Sequence, residues 1–284
     1  MILQPDKSRQ TERAWARLYN RLERDGLLSE VNEKKQKTGF NPGLVLKFAA
    51  SLIIITGATI YLYIGVFDSS RQMLSLHNPD TSSTYVKTLA DGSVVYLSGN
   101  STLSYPDEFK KTSREVFLNG EAYFEITKIN KSGFKIETDL ANIEVLGTSF
   151  SVKSNKENVS SISVNTGEVR ITHKNGGQSY NAVAGETVII SSNGLEKIPT
   201  EDLELFISYS RRMHFKDEPL QNVVEVLNRN IDSLEFEIVS GIEQRAITAT
   251  FSKDSPDSVA ELIALALNLR YLKDGNKIII YELP

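Results

Sequence analysis

Gly147 and Thr148, within the segment EVLGTSFSV, are two adjacent residues whose types could support a reaction within the chain itself. A hydroxyl that directly follows a glycine carbonyl can attack it in a strained turn, and water can then cleave the resulting ester. The same dipeptide lies between two strand-like runs, where a glycine commonly serves only to bend the chain. From these residues alone the simple bend is the favoured interpretation, and self-cleavage is the alternative.

Other side chains that could carry chemistry are the carboxylates Asp107-Glu108 and Glu121/Glu125 and the histidines His77, His173 and His214. Paired carboxylates can act as acid and base, but here we expect them on solvated sheet faces. His173 precedes Lys174 in a predicted hairpin, and we expect it to be solvated rather than a ligand. The chain has no cysteine, which excludes disulfides, thiolate metal sites and cysteine nucleophiles. No phosphate-binding loop, nucleophile elbow or HExxH motif occurs, so we expect no cofactor, no metal and no enzyme acting on a separate substrate.

An uncharged run of twenty residues, FAASLIIITGATIYLYIGVF at 48–67, separates a basic amino-terminal segment from an acidic remainder. As a helix it would extend roughly 30 Å, the thickness of the hydrocarbon core of a bilayer. A buried core helix or a cleavable signal peptide fits less well, because the run lacks a polar face and 47 residues precede it. Those 47 residues hold ten Lys/Arg and six Asp/Glu. By the positive-inside rule we predict a membrane helix over 44–67, a cytoplasmic amino terminus and export of residues 68–284.

The cytoplasmic segment 1–43 is predicted to hold one helix, over residues 11–28, followed by a polar linker. Four apolar residues recur at i, i+3, i+4 and i+7 and share one helical face: Trp15, Leu18, Tyr19 and Leu22. Four arginines form a second stripe beside it: Arg13, Arg17, Arg21 and Arg24. A lone short helix cannot bury its apolar face by itself. We therefore expect one of three arrangements: the helix docks on a cytoplasmic partner, lies on the anionic leaflet of the membrane or packs against a second copy of the chain. Nucleic acid is not an expected partner, since four arginines supply few phosphate contacts.

The exported part shows two different patterns. Over 84–197, short β-prone runs recur every eight to twelve residues between turn dipeptides such as Asp91-Gly92 and Asn119-Gly120. These dipeptides supply positive φ, and the spacing predicts an all-β domain, whether a sandwich, a barrel or a short β-solenoid. Over 213–284, two amphipathic helical patterns alternate with strand patterns, which predicts a small α+β domain of order β-α-β-β-α-β-β. Residues 68–83 and 198–212 are predicted linkers.

Several of these stretches, in order after one membrane helix, resemble the FecR family of single-pass anti-sigma and signal-relay proteins of Gram-negative bacteria. The matching stretches are LADGSVVYLSGNSTLSYPDEF (89–109), REVFLNGEAYFEI (114–126), FKIETDLANIEVLGTSFSV (134–152), VNTGEVRI (164–171) and VAGETVII (183–190). The tail from MHFKDEPLQNVVEVLNRN to KIIIYE resembles the C-terminal domain of Bacteroidetes members. That domain is similar to the short domain at the start of secretins and TonB-dependent transporters.

The resemblance implies an inner-membrane regulator with two protein partners. Its cytoplasmic segment would hold an extracytoplasmic-function sigma factor, and its periplasmic part would sense the signalling domain of an outer-membrane TonB-dependent transporter for iron chelates or glycans. In some family members the Gly-Thr bond cleaves itself, which strengthens that alternative for Gly147-Thr148. Family members generally have a longer cytoplasmic region, and only TERAWARLYNRL resembles its last part. The alternative function is an envelope protein whose exported domains bind a secretin- or transporter-like β-domain without sigma-factor control.

Overall fold

The computed structural model describes residues 7–27, 47, 51–60, 72–110, 113–154 and 159–282. The chain divides into two compact units, Met1–Phe67 and Asp68–Pro284. In the first unit, α1 spans Lys7–Arg24 and α2 covers residues 51–60. Within the described residues, no helix combines the length and the apolar character needed to cross a membrane. Of the predicted membrane helix 44–67, residues 44–46, 48–50 and 61–67 lie outside the described residues, as does the whole of the predicted polar linker 29–43.

The second unit consists mostly of β-strands, which confirms the β-rich character predicted for this part of the chain. Its strands are β1 (Met73–Asn78), β2 (Thr84–Thr88), β3 (Val94–Leu97), β4 (Ser101–Pro106), β5 (Arg114–Glu125), β6 (Phe134–Glu137), β7 (Ala141–Val145), β8 (Ser149–Ser154), β9 (Ser160–Thr166), β10 (Glu168–His173), β11 (Ser179–Val183), β12 (Glu186–Ser191), β13 (Gly194–Pro199), β14 (Met213–Pro219), β15 (Glu235–Ile238), β16 (Ala246–Phe251), β17 (Arg270–Asp274) and β18 (Lys277–Tyr281). Its helices are α3 (Glu204–Ser208), α4 (Leu220–Asn230) and α5 (Pro256–Leu267).

Strand β5 belongs to two sheets and joins them. Its first half pairs with β4 and β6 in a first sheet of order β1-β4-β5-β6-β7-β10-β11. From Gly120 onward it pairs with β3 and β8 in a second sheet, which continues through β9 and β12 to β13. Gly120 has φ +106°, and a Cβ there would lie 2.4 Å from the Ser101 hydroxyl oxygen. Only glycine fits this bend, so the change of sheet depends on that residue.

The two sheets enclose one apolar core. Alternate residues of each strand point into it, including Leu103 and Ile136 of the first sheet and Phe124 and Val152 of the second. The first half of β5 alternates strictly between buried and exposed residues, as a strand with one solvated face should. All four residues of β3 are buried. The second sheet is therefore covered on both faces.

The C-terminal region, residues 213–282, covers the outer face of the second sheet. Its elements follow the predicted order β-α-β-β-α-β-β. Strand β14 pairs in parallel with β2 and antiparallel with β16, so it extends the second sheet, while β15, β18 and β17 form a separate small sheet. Five residues of α4 are buried: Leu220, Val223, Val224, Val226 and Leu227. Helix α5 begins after Ser255, whose hydroxyl accepts from the Ser258 N–H at 3.2 Å.

The β strands and the C-terminal region share a second apolar core. It contains Val94, Tyr96 and Tyr123 from the second sheet together with residues of α4, α5 and the small sheet. The segment expected to be a linker, 198–212, also contributes, because Phe206 of α3 and Tyr209 are buried in this core. The β-rich region and the C-terminal region thus form one continuous structure.

Candidate functional site

Helix α1 presents the four predicted partner-binding residues on one side of a helix. Trp15, Leu18 and Tyr19 are 65%, 48% and 62% exposed, and Leu22 is partly buried. Apolar side chains this exposed on a helix commonly mark a surface that another molecule covers. The identity of that molecule stays a prediction.

The Gly147-Thr148 bond lies in the short connection between β7 and β8, inside the second unit. Thr148 is 4% exposed, and its hydroxyl donates to the backbone carbonyl of Glu168 at 3.0 Å. Its own carbonyl accepts from the Ile126 N–H at 3.0 Å. The hydroxyl that could attack the Gly147 carbonyl is therefore held by a different acceptor.

Two glycines allow the chain to pack tightly around this bond. A Cβ at Gly147 would lie 2.5 Å from the Lys128 Cβ. A Cβ at Gly167, whose φ is +80°, would lie 2.9 Å from the Thr148 hydroxyl oxygen and 3.1 Å from the Gly147 carbonyl oxygen. The turn between β9 and β10 thus presses against the Gly-Thr peptide. Cavities of about 460 Å³ and about 450 Å³ both reach it and are both lined by Lys128, Gly147 and Thr148.

The sequence predicted Glu121 and Glu125 on a solvated sheet face, but both are partly buried and contact residues that follow β13 in the chain. Glu121 accepts from the Tyr209 hydroxyl at 2.6 Å, and Glu125 contacts Arg229 of α4 at 3.5 Å. Burial raises the pKa of Glu125, which Arg229 opposes. Burial, followed by the negative charge of Glu121, raises the pKa of Tyr209. Asp107 and Glu108 are exposed, as expected.

The prediction that His173 is a solvated turn residue is wrong. It is the last residue of β10 and faces inward, so only 3% of it is exposed. Its Nε2 lies 3.0 Å from the Ser191 carbonyl oxygen. His77 and His214 lie apart from it, on β1 and β14. Among the described residues, no group of three or more histidines and carboxylates is arranged to hold a metal ion.

The junction between the second sheet and the C-terminal region carries polar contacts that the sequence patterns did not reveal. The Tyr209 ring stacks on Tyr123 with centroids 5.4 Å apart. The Asn230 side chain donates to the Tyr96 hydroxyl at 3.0 Å. Glu218, which is 1% exposed, forms an ion pair with Lys87 at 2.5 Å. The run VVYL of β3 is a signal for this junction, since a continuous apolar strand is typical of burial on both faces.

Comparison with known proteins gives one family match. Residues 80–170 match the family model described as FecR protein, so the predicted resemblance is confirmed for this segment, which extends from just before β2 into β10. The comparison with curated proteins gives no match. Two crystal structures of a candidate anti-sigma factor from Parabacteroides distasonis are similar, with 25% and 26% identity and TM-scores of 0.46 and 0.44. Each similarity covers 75% of this chain and 100% of the other. The resemblance of the C-terminal region lies beyond the matched segment and stays a prediction.

Proposed function

We propose that this chain is a membrane-anchored regulator that binds a sigma factor in the cytoplasm and relays to it a signal received outside. The main observation in support is that α1 exposes an apolar side. In the chain, α1 is followed by an uncharged run of twenty residues and then by a segment that matches the FecR family model. Residues 48–67 span the inner membrane, with α1 inside and residues 68–284 in the periplasm. The membrane separates the helix that binds the sigma factor from the unit that senses the signal.

Affinity capture tests the cytoplasmic part of this proposal. The full-length chain in detergent should retain a sigma factor from the native host. Leu18→Ala with Tyr19→Ala should weaken retention by about tenfold or more, because central apolar anchors each contribute more than about 1 kcal/mol to binding. Asn20→Ala, on the polar side of the same helix, is the matched control and should leave retention unchanged. Equal retention by both variants, or capture of no sigma factor, would contradict the proposal.

The orientation is tested separately. A reporter enzyme that is active only in the periplasm should work when fused after Pro284 and fail when fused before Met1. Alkaline carbonate should leave the full-length chain in the membrane. Release by carbonate would reject the anchor.

For the external partner we propose the periplasmic signalling domain of an outer-membrane TonB-dependent transporter, bound by strand pairing. Among the described residues, β15 and β17 are the terminal strands of the small sheet, and terminal strands offer unpaired backbone groups. Leu272 of β17 is 55% exposed and Val239, just after β15, is 47% exposed. Leu272→Lys should weaken binding if β17 is the docking edge, and Val239→Lys should do so if β15 is. If both variants bind the transporter domain as tightly as the wild-type protein, the small sheet is not the docking site.

We also propose that the chain can cleave itself at Gly147-Thr148. The Thr148 hydroxyl oxygen forms an ester with the Gly147 carbonyl carbon while the peptide C–N bond breaks, and the nitrogen takes up the proton as the free amine of Thr148. Water then hydrolyses the ester, giving a Gly147 carboxylate and the restored hydroxyl. The tight packing by Gly167 and the two flanking cavities support this step. The hydroxyl must first leave the Glu168 carbonyl.

Denaturing gels and mass spectrometry test self-cleavage. Fragments 1–147 and 148–284 should appear in the purified protein and merge into one band in Thr148→Val. Thr148→Ser should still cleave, and Ser149→Ala is the matched control. Under native conditions the fragments should stay together, because β8 pairs with β5 from the other fragment. A single intact band in the wild-type protein would refute the proposal.

A further inference from the structure

The apolar side of α1 is exposed to water unless another surface buries it, and this also holds when no sigma factor is bound. Trp15 and Tyr19 are each more than 60% exposed, and most of the stability of a helix in a protein comes from the packing of its apolar side. An apolar side of this kind is stabilised when another surface buries it.

The charges of α1 indicate which surface provides the cover. The helix contains six basic and two acidic residues, with no acidic residue in its first turn and Arg21 and Arg24 in its last. Four exposed arginines occupy the side away from Trp15, rather than a stripe directly beside it as expected from the sequence: Arg13, Arg17, Arg21 and Arg24. At 3.6 residues per turn, Arg17 lies roughly 200° around the helix from Trp15. An apolar side with Trp and Leu opposite an arginine-rich side is typical of helices that lie in the interface of an anionic membrane.

The position of α1 in the chain favours the same surface. Only 23 residues, 25–47, separate it from the run proposed to span the bilayer. A helix tethered this closely to a membrane meets the leaflet at a high effective concentration, so even a weak intrinsic affinity for lipid suffices.

We propose that, in the protein without a sigma factor, α1 lies on the anionic cytoplasmic leaflet with Trp15, Leu18, Tyr19 and Leu22 inserted between lipid headgroups. This inference rests on the proposed membrane anchor and adds a regulatory step. Lipid and sigma factor bind the same side of the helix, so they compete for it. Because a ligand shifts an equilibrium only by its differential affinity, the anionic lipid content of the leaflet sets how tightly the sigma factor is held.

Trp15 makes this testable in the intact protein, because it is the only tryptophan in the chain. The full-length protein is reconstituted into vesicles of phosphatidylcholine with or without roughly one-third phosphatidylglycerol, with bromine on the acyl chains. Flotation with the vesicles first confirms the anchor. Bromine should then quench Trp15 fluorescence strongly in the anionic vesicles and weakly in the neutral ones.

The arginine contribution is measured with charge variants. Arg17→Gln with Arg21→Gln should lower the equilibrium constant for leaflet binding by about 30-fold, since each basic residue near an anionic surface contributes about a factor of five. Lys34→Gln with Lys35→Gln removes the same charge from the linker and is the matched control. Equal quenching in the two variants would overturn the role assigned to the arginine side.

Three outcomes would overturn the proposal as a whole. The first is failure of the protein to float with vesicles, which removes the anchor. The second is Trp15 that stays open to acrylamide in anionic vesicles. The third is Trp15 shielded from acrylamide but not quenched by bromine, which would indicate a protein cover such as a second copy. The test needs no sigma factor, so a failed sigma-factor capture leaves its result intact. When capture succeeds, adding that sigma factor should relieve the quenching.

Discussion

Replacement of Asp91 by alanine should destabilise the second unit, residues 68–284, more than the removal of a surface charge does, because it leaves a buried guanidinium without its counterion. Arg114 opens β5 and is 2% exposed, and the Asp91 side chain that pairs with it at 2.7 Å is 5% exposed. The remaining Arg114 contacts are neutral: the carbonyls of Thr127 and Ser132, at 2.8 and 2.7 Å, and the Phe134 ring, 5.4 Å away. None of them compensates the charge.

The magnitude follows from this burial. Removing one partner of a buried pair costs about 3–5 kcal/mol, because the other charge is left desolvated. For a unit of this size each kcal/mol lowers the melting temperature by about 2–4 °C, so we expect a fall of about 6–20 °C. Asp91 also accepts from the Ser93 N–H at 3.0 Å, so the turn before β3 loosens as well.

Urea unfolding of residues 68–284, followed by far-UV circular dichroism, measures this effect. Glu144→Ala is the matched control, because Glu144 pairs with Lys135 at 3.4 Å while about half of each side chain is exposed. Such exposed pairs contribute less than about 1 kcal/mol. Asp91→Leu combined with Arg114→Met should be closer to wild type than Asp91→Ala, because it leaves no orphaned charge. If Asp91→Ala unfolds within about 1 kcal/mol of Glu144→Ala, the argument from burial fails.

Three further variants test other parts of the fold. Burial lowers the pKa of His214, so the unfolded chain binds the proton more tightly than the folded chain does. The stability should therefore decline as pH falls below about 6.5. His214→Gln should reduce this decline, measured as the urea midpoint between pH 7.5 and 5.5. Gly120→Ala should lower the free energy of unfolding in urea by about 1–3 kcal/mol more than Gly241→Ala does. Both glycines have φ near +106°, but only at Gly120 would a Cβ collide with Ser101. An equal loss of stability in the two variants would contradict this steric argument. Tyr209→Phe should lower the free energy of unfolding by about 1.5–3 kcal/mol through loss of the hydrogen bond to the Glu121 carboxylate. An unchanged midpoint would show that this bond contributes nothing.

Local patterns predicted most strands and helices of the second unit, because alternation and turn dipeptides are local signals. Gly92 and Gly120 do adopt positive φ, but the turn expected at Asn119-Gly120 is wrong, because this dipeptide lies inside the continuous strand β5. The position of His173 was not predictable in the same way, since its burial depends on how β10 faces a sheet formed by distant strands. Strand pairing between residues far apart in the chain leaves little trace in one sequence.

The same limit applies to the candidate sites. Trp15 and Leu18 could be assigned to one helix side from spacing alone, because the period of a helix is fixed. At Gly147 the sequence showed the dipeptide but not the second glycine, Gly167, which belongs to another turn and reaches the bond only through the fold. The contact of Tyr209 with Glu121 joins residues that are 88 positions apart in the chain. It depends on the fold that brings Tyr209 back against the second sheet, which no local pattern indicates.

The parallel pairing of β14 with β2 also determines how mechanical load passes through the second unit. Three residue pairs connect the strands, from Met213 with Thr84 to Phe215 with Val86. A pull on the C-terminal region along the strand direction would load these backbone hydrogen bonds together, in shear, and so transfer tension directly to β2. Because β2 is the second strand after residue 72, that tension bypasses most of the intervening strands and arrives near the amino-terminal end of the unit.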